Sequence, residues 1–149
     1  MTIDDLDRHL AAAGSIDRAA VPLGMYLAWC GNLHLFSAGF VEAHELPLTR
    51  LRYRDLSPSE FLTACTAGHL DPADLSDEGR AFTEAYYPGY LDDFRATFGG
   101  DPYDVRDDWT HYDRIAPVLT RHLMTWKEGG RRPRLVASGG RKWWRIWRS

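Results

Sequence analysis

Residues 1–126 contain no lysine: their ten cations are all arginine, set against twenty carboxylates, for a formal charge of −10. An acidic body of this kind repels nucleic acid and is suited to meeting a basic protein. Cysteine is nearly absent as well. Cys30 and Cys65 are the only two, both inside apolar helical patterns, and read as small buried side chains in a reducing compartment rather than a disulfide framework. No apolar run approaches the roughly 18–20 residues needed to span a bilayer. The opening Met1-Thr2-Ile3-Asp4-Asp5 lacks the basic and apolar regions of a signal peptide, so a soluble cytoplasmic protein is expected. Sustained alternation of period two is missing through residue 130, and no internal repeat is visible.

What is present is helical patterning over a chain of 149 residues, 44% of them hydrophobic and 13% aromatic, enough for one domain with a real core. Asp4 to Ala13 predicts a short helix ended by Gly14. The strongest segment runs from Val21 to Phe36. Leu23, Tyr26, Leu27, Cys30 and Leu33 form one apolar stripe, widened by Met25, Trp29 and Phe36, while Gly24, Ala28 and Gly31 make a small-residue face. A helix apolar nearly all round is a buried one, and the small face lets a neighbour come close. Residues 37–56, with Pro47 and scattered charges, read as an irregular connection or one short strand.

Ser57-Pro58-Ser59-Glu60 is a capping box with proline at the first helical position. Phe61, Leu62 and Cys65 follow on the inward face, and Gly68 closes the segment. Asp71-Pro72 and Ser76-Asp77-Glu78 are successive cap signals for a helix reaching Tyr86. Pro88-Gly89 interrupts it, and a further helix ends at Gly99-Gly100. Val105, Trp109, Tyr112, Ala116, Leu119, Leu123 and Trp126 then make one continuous seam, with Pro117 marking a kink or a break. The expected architecture is all-α: a compact helical domain of five to seven helices over residues 1–130, followed by a tail, residues 131–149. Residues 127–149 reverse the charge to +7 and carry Trp143, Trp144 and Trp147. The tail is either a hairpin about Ser138-Gly139-Gly140 or, as slightly preferred here, a short amphipathic piece beyond a glycine joint.

Chemistry is harder to find. Asp107 and His111, or Asp108 and His111, have helical spacing for a shared face, but two ligands do not make a metal site. Gly99-Gly100 and Gly139-Gly140 lack the spacing of a phosphate loop, and neither cysteine has an electropositive neighbour to activate it. No cofactor is expected. Carboxylates do concentrate at Asp92, Asp93, Asp101, Asp104, Asp107 and Asp108, against Arg95 and Arg106 alone between residues 92 and 108. With Trp143, Trp144 and Trp147 these are the expected partner-binding residues. The tail suits three surfaces: the acidic body itself, an anionic membrane, and, least favoured, nucleic acid.

Leu23-Gly24-Met25-Tyr26-Leu27-Ala28-Trp29 resembles the GMYLAW signature of a family of uncharacterised bacterial proteins. The likeness extends through Ser57–Leu62, Asp77–Phe82, Tyr86-Tyr87, Tyr90–Asp93, Trp109, Tyr112–Ile115 and Trp143-Trp144. In that family a His-Ile pair usually precedes the signature, where this chain has Pro22-Leu23, which counts against catalysis. The resemblance implies a small cytosolic protein and, for some members, a toxin–immunity setting. The leading expectation is therefore a non-enzymatic protein that binds a protein partner, foremost an immunity protein neutralising a bacterial toxin. The alternatives are a small metal-dependent or ligand-binding enzyme built on Asp107, Asp108 and His111, and a tail that binds anionic membrane.

Overall fold

The computed structural model describes residues 2–131, which fold as a helical domain around one long buried helix. A two-residue strand β1 (Asp4–Asp5) leads into α1 (Leu6–Ala13), capped by the Asp5 carboxylate and ended by Gly14 in the left-handed region, φ 86°. The predicted first helix is thus shortened at its start, because Asp4 and Asp5 pair antiparallel with β2 (His69–Leu70).

Helix α2 (Ile16–Asn32) is the centre of the fold. It begins before the predicted Val21, since Ser15 supplies the N-cap and Pro22 is carried inside the helix. It also stops before Phe36, where the chain turns through His34 at φ 58°. Every residue from Ala19 to Gly31 is buried. Its small face works as predicted. A Cβ on Gly24 would sit 2.9 Å from the Pro58 carbonyl oxygen, and one on Gly31 would sit 2.8 Å from Leu51 Cδ2. Absence of those methyl groups is what lets the start of one helix and the flank of another rest directly on α2.

Residues 37–56 correct the prediction of a loop or strand. They form α3 (Ala38–Ala43), N-capped by Ser37, and α4 (Glu45–Arg52), joined through His44 without a loop. Pro47 falls in the first turn of α4, where a missing N–H costs little. Taking α3–α4 as one bent unit, the described residues hold seven helical units, in line with the predicted five to seven.

Helix α5 (Pro58–Cys65) carries the complete Ser57/Glu60 capping box. Ser76 caps α6 (Asp77–Tyr86); a 3-10 turn at Tyr87–Gly89 separates it from α7 (Tyr90–Phe98), which ends at Gly99, φ 78°. A further 3-10 turn, Pro102–Asp104, the third among the described residues after Pro72–Asp74 and Tyr87–Gly89, precedes α8 (Trp109–Arg131), where Pro117 is accommodated without ending the helix. The core gathers Trp29, Tyr26, Phe61, Phe82, Tyr90 and Phe94, all at most 1% exposed. Buried aromatic polar atoms are paired. Tyr90 donates to the Pro22 carbonyl at 2.6 Å, Trp29 Nε1 to Thr120 at 3.1 Å, and Trp109 Nε1 to the Leu56 carbonyl at 3.1 Å.

Candidate functional site

The acids at 92–108 are positioned by three different elements. Asp92 and Asp93 stand in the first turn of α7: Asp92 is 3.4 Å from Arg95, while Asp93 accepts from Tyr86 Oη at 2.7 Å and lies 3.0 Å from His122. Asp101 precedes the Pro102–Asp104 turn, Asp104 ends it, and the two share Arg18, at 3.5 and 3.2 Å. Asp108 caps the start of α8, accepting from the His111 amide at 2.8 Å and contacting its imidazole at 2.7 Å. Those two hydrogen bonds hold its carboxyl below the usual range. Asp107 points elsewhere. Its two oxygens accept from Ser57 Oγ at 2.6 Å and the Ser59 amide at 2.9 Å, where the positive end of α5 favours an anion. Asp107, Asp108 and His111 are therefore not gathered about one point. Trp143, Trp144 and Trp147 lie outside the described residues.

Asp107 instead joins a cleft that the sequence did not reveal. About 500 Å³ opens between the start of α2 and the outer side of α5, with Leu6, Ile16, Ala20, Leu56 and Ala64 as apolar walls. Its ionisable lining consists of Asp17, Glu60 and Asp107, with no cation among the lining residues. Ser59 Oγ is buried there without a hydrogen-bond partner, and Ile16 is 60% exposed at the mouth. A concave site of this volume with a few convergent polar groups has the dimensions of a ligand or side-chain pocket. Of its three carboxylates, Glu60 and Asp107 already accept hydrogen bonds from the start of α5.

A second constellation is buried under α1. His9 Nε2 meets Asp4 Oδ2 at 2.7 Å, its Nδ1 meets the Tyr103 hydroxyl, and Tyr87 donates to the same Asp4 oxygen. Asp4 Oδ1 accepts the Asp5 amide at 2.8 Å. Asp4 is 4% and His9 7% exposed. Burial alone would raise the Asp4 carboxyl; the hydrogen bonds from His9 and Tyr87, the nearby imidazole charge and the Asp5 amide outweigh it, so the net shift is downward. Tyr103 is pushed up, first by burial and then by Asp4, and stays a phenol. Every polar atom in the set is engaged, so it ties β1, α1 and the 3-10 turns at Tyr87–Gly89 and Pro102–Asp104 together, and Asp4, His9 and Tyr87 also line a cavity of about 240 Å³. Only the spacing of Asp4 and His9 was readable beforehand; their tyrosine partners lie 83 and 94 residues away.

Among the described residues, the ligand atoms that fall within reach of one ion are those of His69, Asp71 and Asp74. Asp74 is occupied in accepting the Asp71 amide at 3.0 Å, and His69 Nδ1 lies 3.1 Å from Asp71 but misaligned for a hydrogen bond. The trio serves the capped turn after β2. Both cysteines are free: Cys30 is fully buried and its thiol is driven up by burial, while burial lifts Cys65 to about 12. Neither is a nucleophile at neutral pH.

A family model matches residues 2–106, from β1 through the 3-10 turn at Pro102–Asp104. The chain belongs to that family, described as a domain of unknown function (DUF7832). The matched span contains the α2 signature, the capping box of α5 and the tyrosines of α6–α7, and stops short of α8. No curated protein and no solved structure matches the chain. No helix among the described residues is long and apolar enough to cross a membrane.

Proposed function

We propose that this DUF7832 domain is a non-enzymatic binding protein that receives a basic protein partner, with neutralisation of a bacterial toxin as the leading setting. The observation that carries the reading is the α2–α5 cleft, whose ionisable lining is Asp17, Glu60 and Asp107 without a cation. An arginine or lysine from a partner would lay its stem along Ile16 and Ala64 and bring its charge to the carboxylates. The −10 charge of residues 1–126 would steer such a partner toward the domain and speed its approach. Asp92 and Asp104, 85% and 75% exposed, extend the acidic surface around α7 and its following turn. The raised thiols of Cys30 and Cys65 speak against thiol-based turnover.

Titration calorimetry against the product of the neighbouring gene tests the reading. A one-to-one complex is expected whose affinity falls with salt and drops about tenfold in Asp17→Asn, the loss of one favourable charge contact. Co-expression giving neither a complex nor protection from that neighbour would end the proposal.

A further inference from the structure

At the far end of α8 the packing is of another kind. Phe82 and Tyr86 of α6 face His122 and Trp126 of α8, with ring centroids of Phe82 and Trp126 5.7 Å apart and those of Tyr86 and His122 4.8 Å apart. Between them a notch of about 220 Å³ stays open, floored by rings and edged by Ala85 and Thr125, both exposed. A dry apolar cavity of about 150 Å³ takes one benzene ring, so this notch has room for an indole. Beyond the notch, Glu78 lies 3.2 Å from Lys127 and the fully exposed Asp77 3.2 Å from Arg80, while Glu84 is exposed on the same helix.

We infer that the occupant of this notch is the chain's own C-terminal segment, residues 132–149, with an indole from Trp143, Trp144 or Trp147 seated against Trp126 and Tyr86. Three observations single out that segment. It carries six cations and no acidic side chain, the complement of α6, whose Asp77, Glu78 and Glu84 outnumber Arg80. It leaves the domain at Arg131, five residues past Trp126, which is about 7.5 Å along a helix. Twelve residues separate Arg131 from Trp143, an extended reach of roughly 40 Å, ample for a return to the notch. A tethered segment also meets its own notch at an effective concentration in the millimolar range, which a free competitor must exceed.

The full chain labelled with 5-fluorotryptophan tests this by fluorine NMR, with single Trp→Phe substitutions assigning its six indoles. At least one of the three tail resonances is expected to be displaced from its position in a synthetic 132–149 peptide, independently of protein concentration. Ala85→Phe, which fills the notch with a ring of the body, should return it to the peptide position while Trp29 and Trp109 stay unchanged. Glu78→Lys should shift it part of the way, and serves if the filled variant fails to fold. Tail resonances matching the free peptide would overturn the inference, as would indifference to both substitutions. So would displacement that grows with concentration, the mark of a second copy, or that occurs only on adding phosphatidylglycerol-containing vesicles.

Discussion

The α2–α5 contact and the α6–α8 contact solve the same problem with opposite materials. Gly24 of α2 brings a helix surface against the Pro58 backbone, so that nothing larger than hydrogen fits between them. Phe82, Tyr86 and Trp126 hold α6 and α8 apart on their rings and leave an open notch. Small residues fix a distance by backbone contact and tolerate no addition; large rings fix it by side chains that can adjust. At the first contact the opening lies beside a closed backbone seam, between Ile16 and Ala64; at the second it lies between the packed rings themselves.

That contrast is broken most severely at glycines that face backbone. A Cβ on Gly79 would fall 2.3 Å from the Leu35 carbonyl oxygen, so Gly79→Ala should cost about 3 kcal/mol in urea unfolding. Gly24→Ala should follow closely, whereas Gly31→Ala should cost less, because its Cβ meets the movable end of Leu51. Gly31→Leu has no such relief and should be badly destabilising. Stabilities of these variants within about half a kcal/mol of the parent would show that the close face is not close.

Next in size is the buried network. His9→Ala leaves Asp4 without its principal partner and should cost about 2–3 kcal/mol. Because the Asp4 carboxyl is lowered in the folded state, its contribution is present above the unfolded value of about 3.9 and is lost as pH falls through the lower folded value. Acid unfolding of the parent should therefore steepen below about pH 4, and Asp4→Asn should flatten that limb while lowering stability at neutral pH. An unchanged acid limb in Asp4→Asn would remove the network from the account.

Smaller effects sharpen the comparison. Asp107→Ala frees Ser57 Oγ and the Ser59 amide at the start of α5 and should cost about 1 kcal/mol by thermal unfolding. At the weak end, Arg95→Ala breaks only the exposed 3.4 Å contact with Asp92 and should change stability by no more than about 0.5 kcal/mol. A larger loss would mean that α7 depends on its surface charges.

Local signals were the legible ones. The Ser57–Glu60 box, the Ser76 cap, the stop at Gly99 and the α8 seam could be read because each involves residues within one or two turns of one another. Helices α3 and α4 were hidden by Pro47 and a thin apolar stripe; they exist because Leu48 and Leu51 pack on Gly31, a tertiary gain that outweighs weak propensity. The start of α2 was hidden by Pro22, whose lost hydrogen bond is absorbed by a helix buried on all sides. Of the candidate sites, the acidic composition was visible but the cleft was not. Asp17, Glu60 and Asp107 come from three elements, and only the packing of α5 on α2 brings them to one wall.

The two free thiols give this fold an internal clock. Cys30 sits on the innermost face of α2, so a thiol-directed reagent reaches it only when the whole domain opens, and its labelling rate in native buffer tracks the global unfolding equilibrium. Cys65, half-buried at the end of α5, becomes reachable when that last turn frays. Counting adducts by mass during a labelling pulse thus separates breathing of one helix end from loss of the entire domain, in the unmodified protein and without any introduced probe.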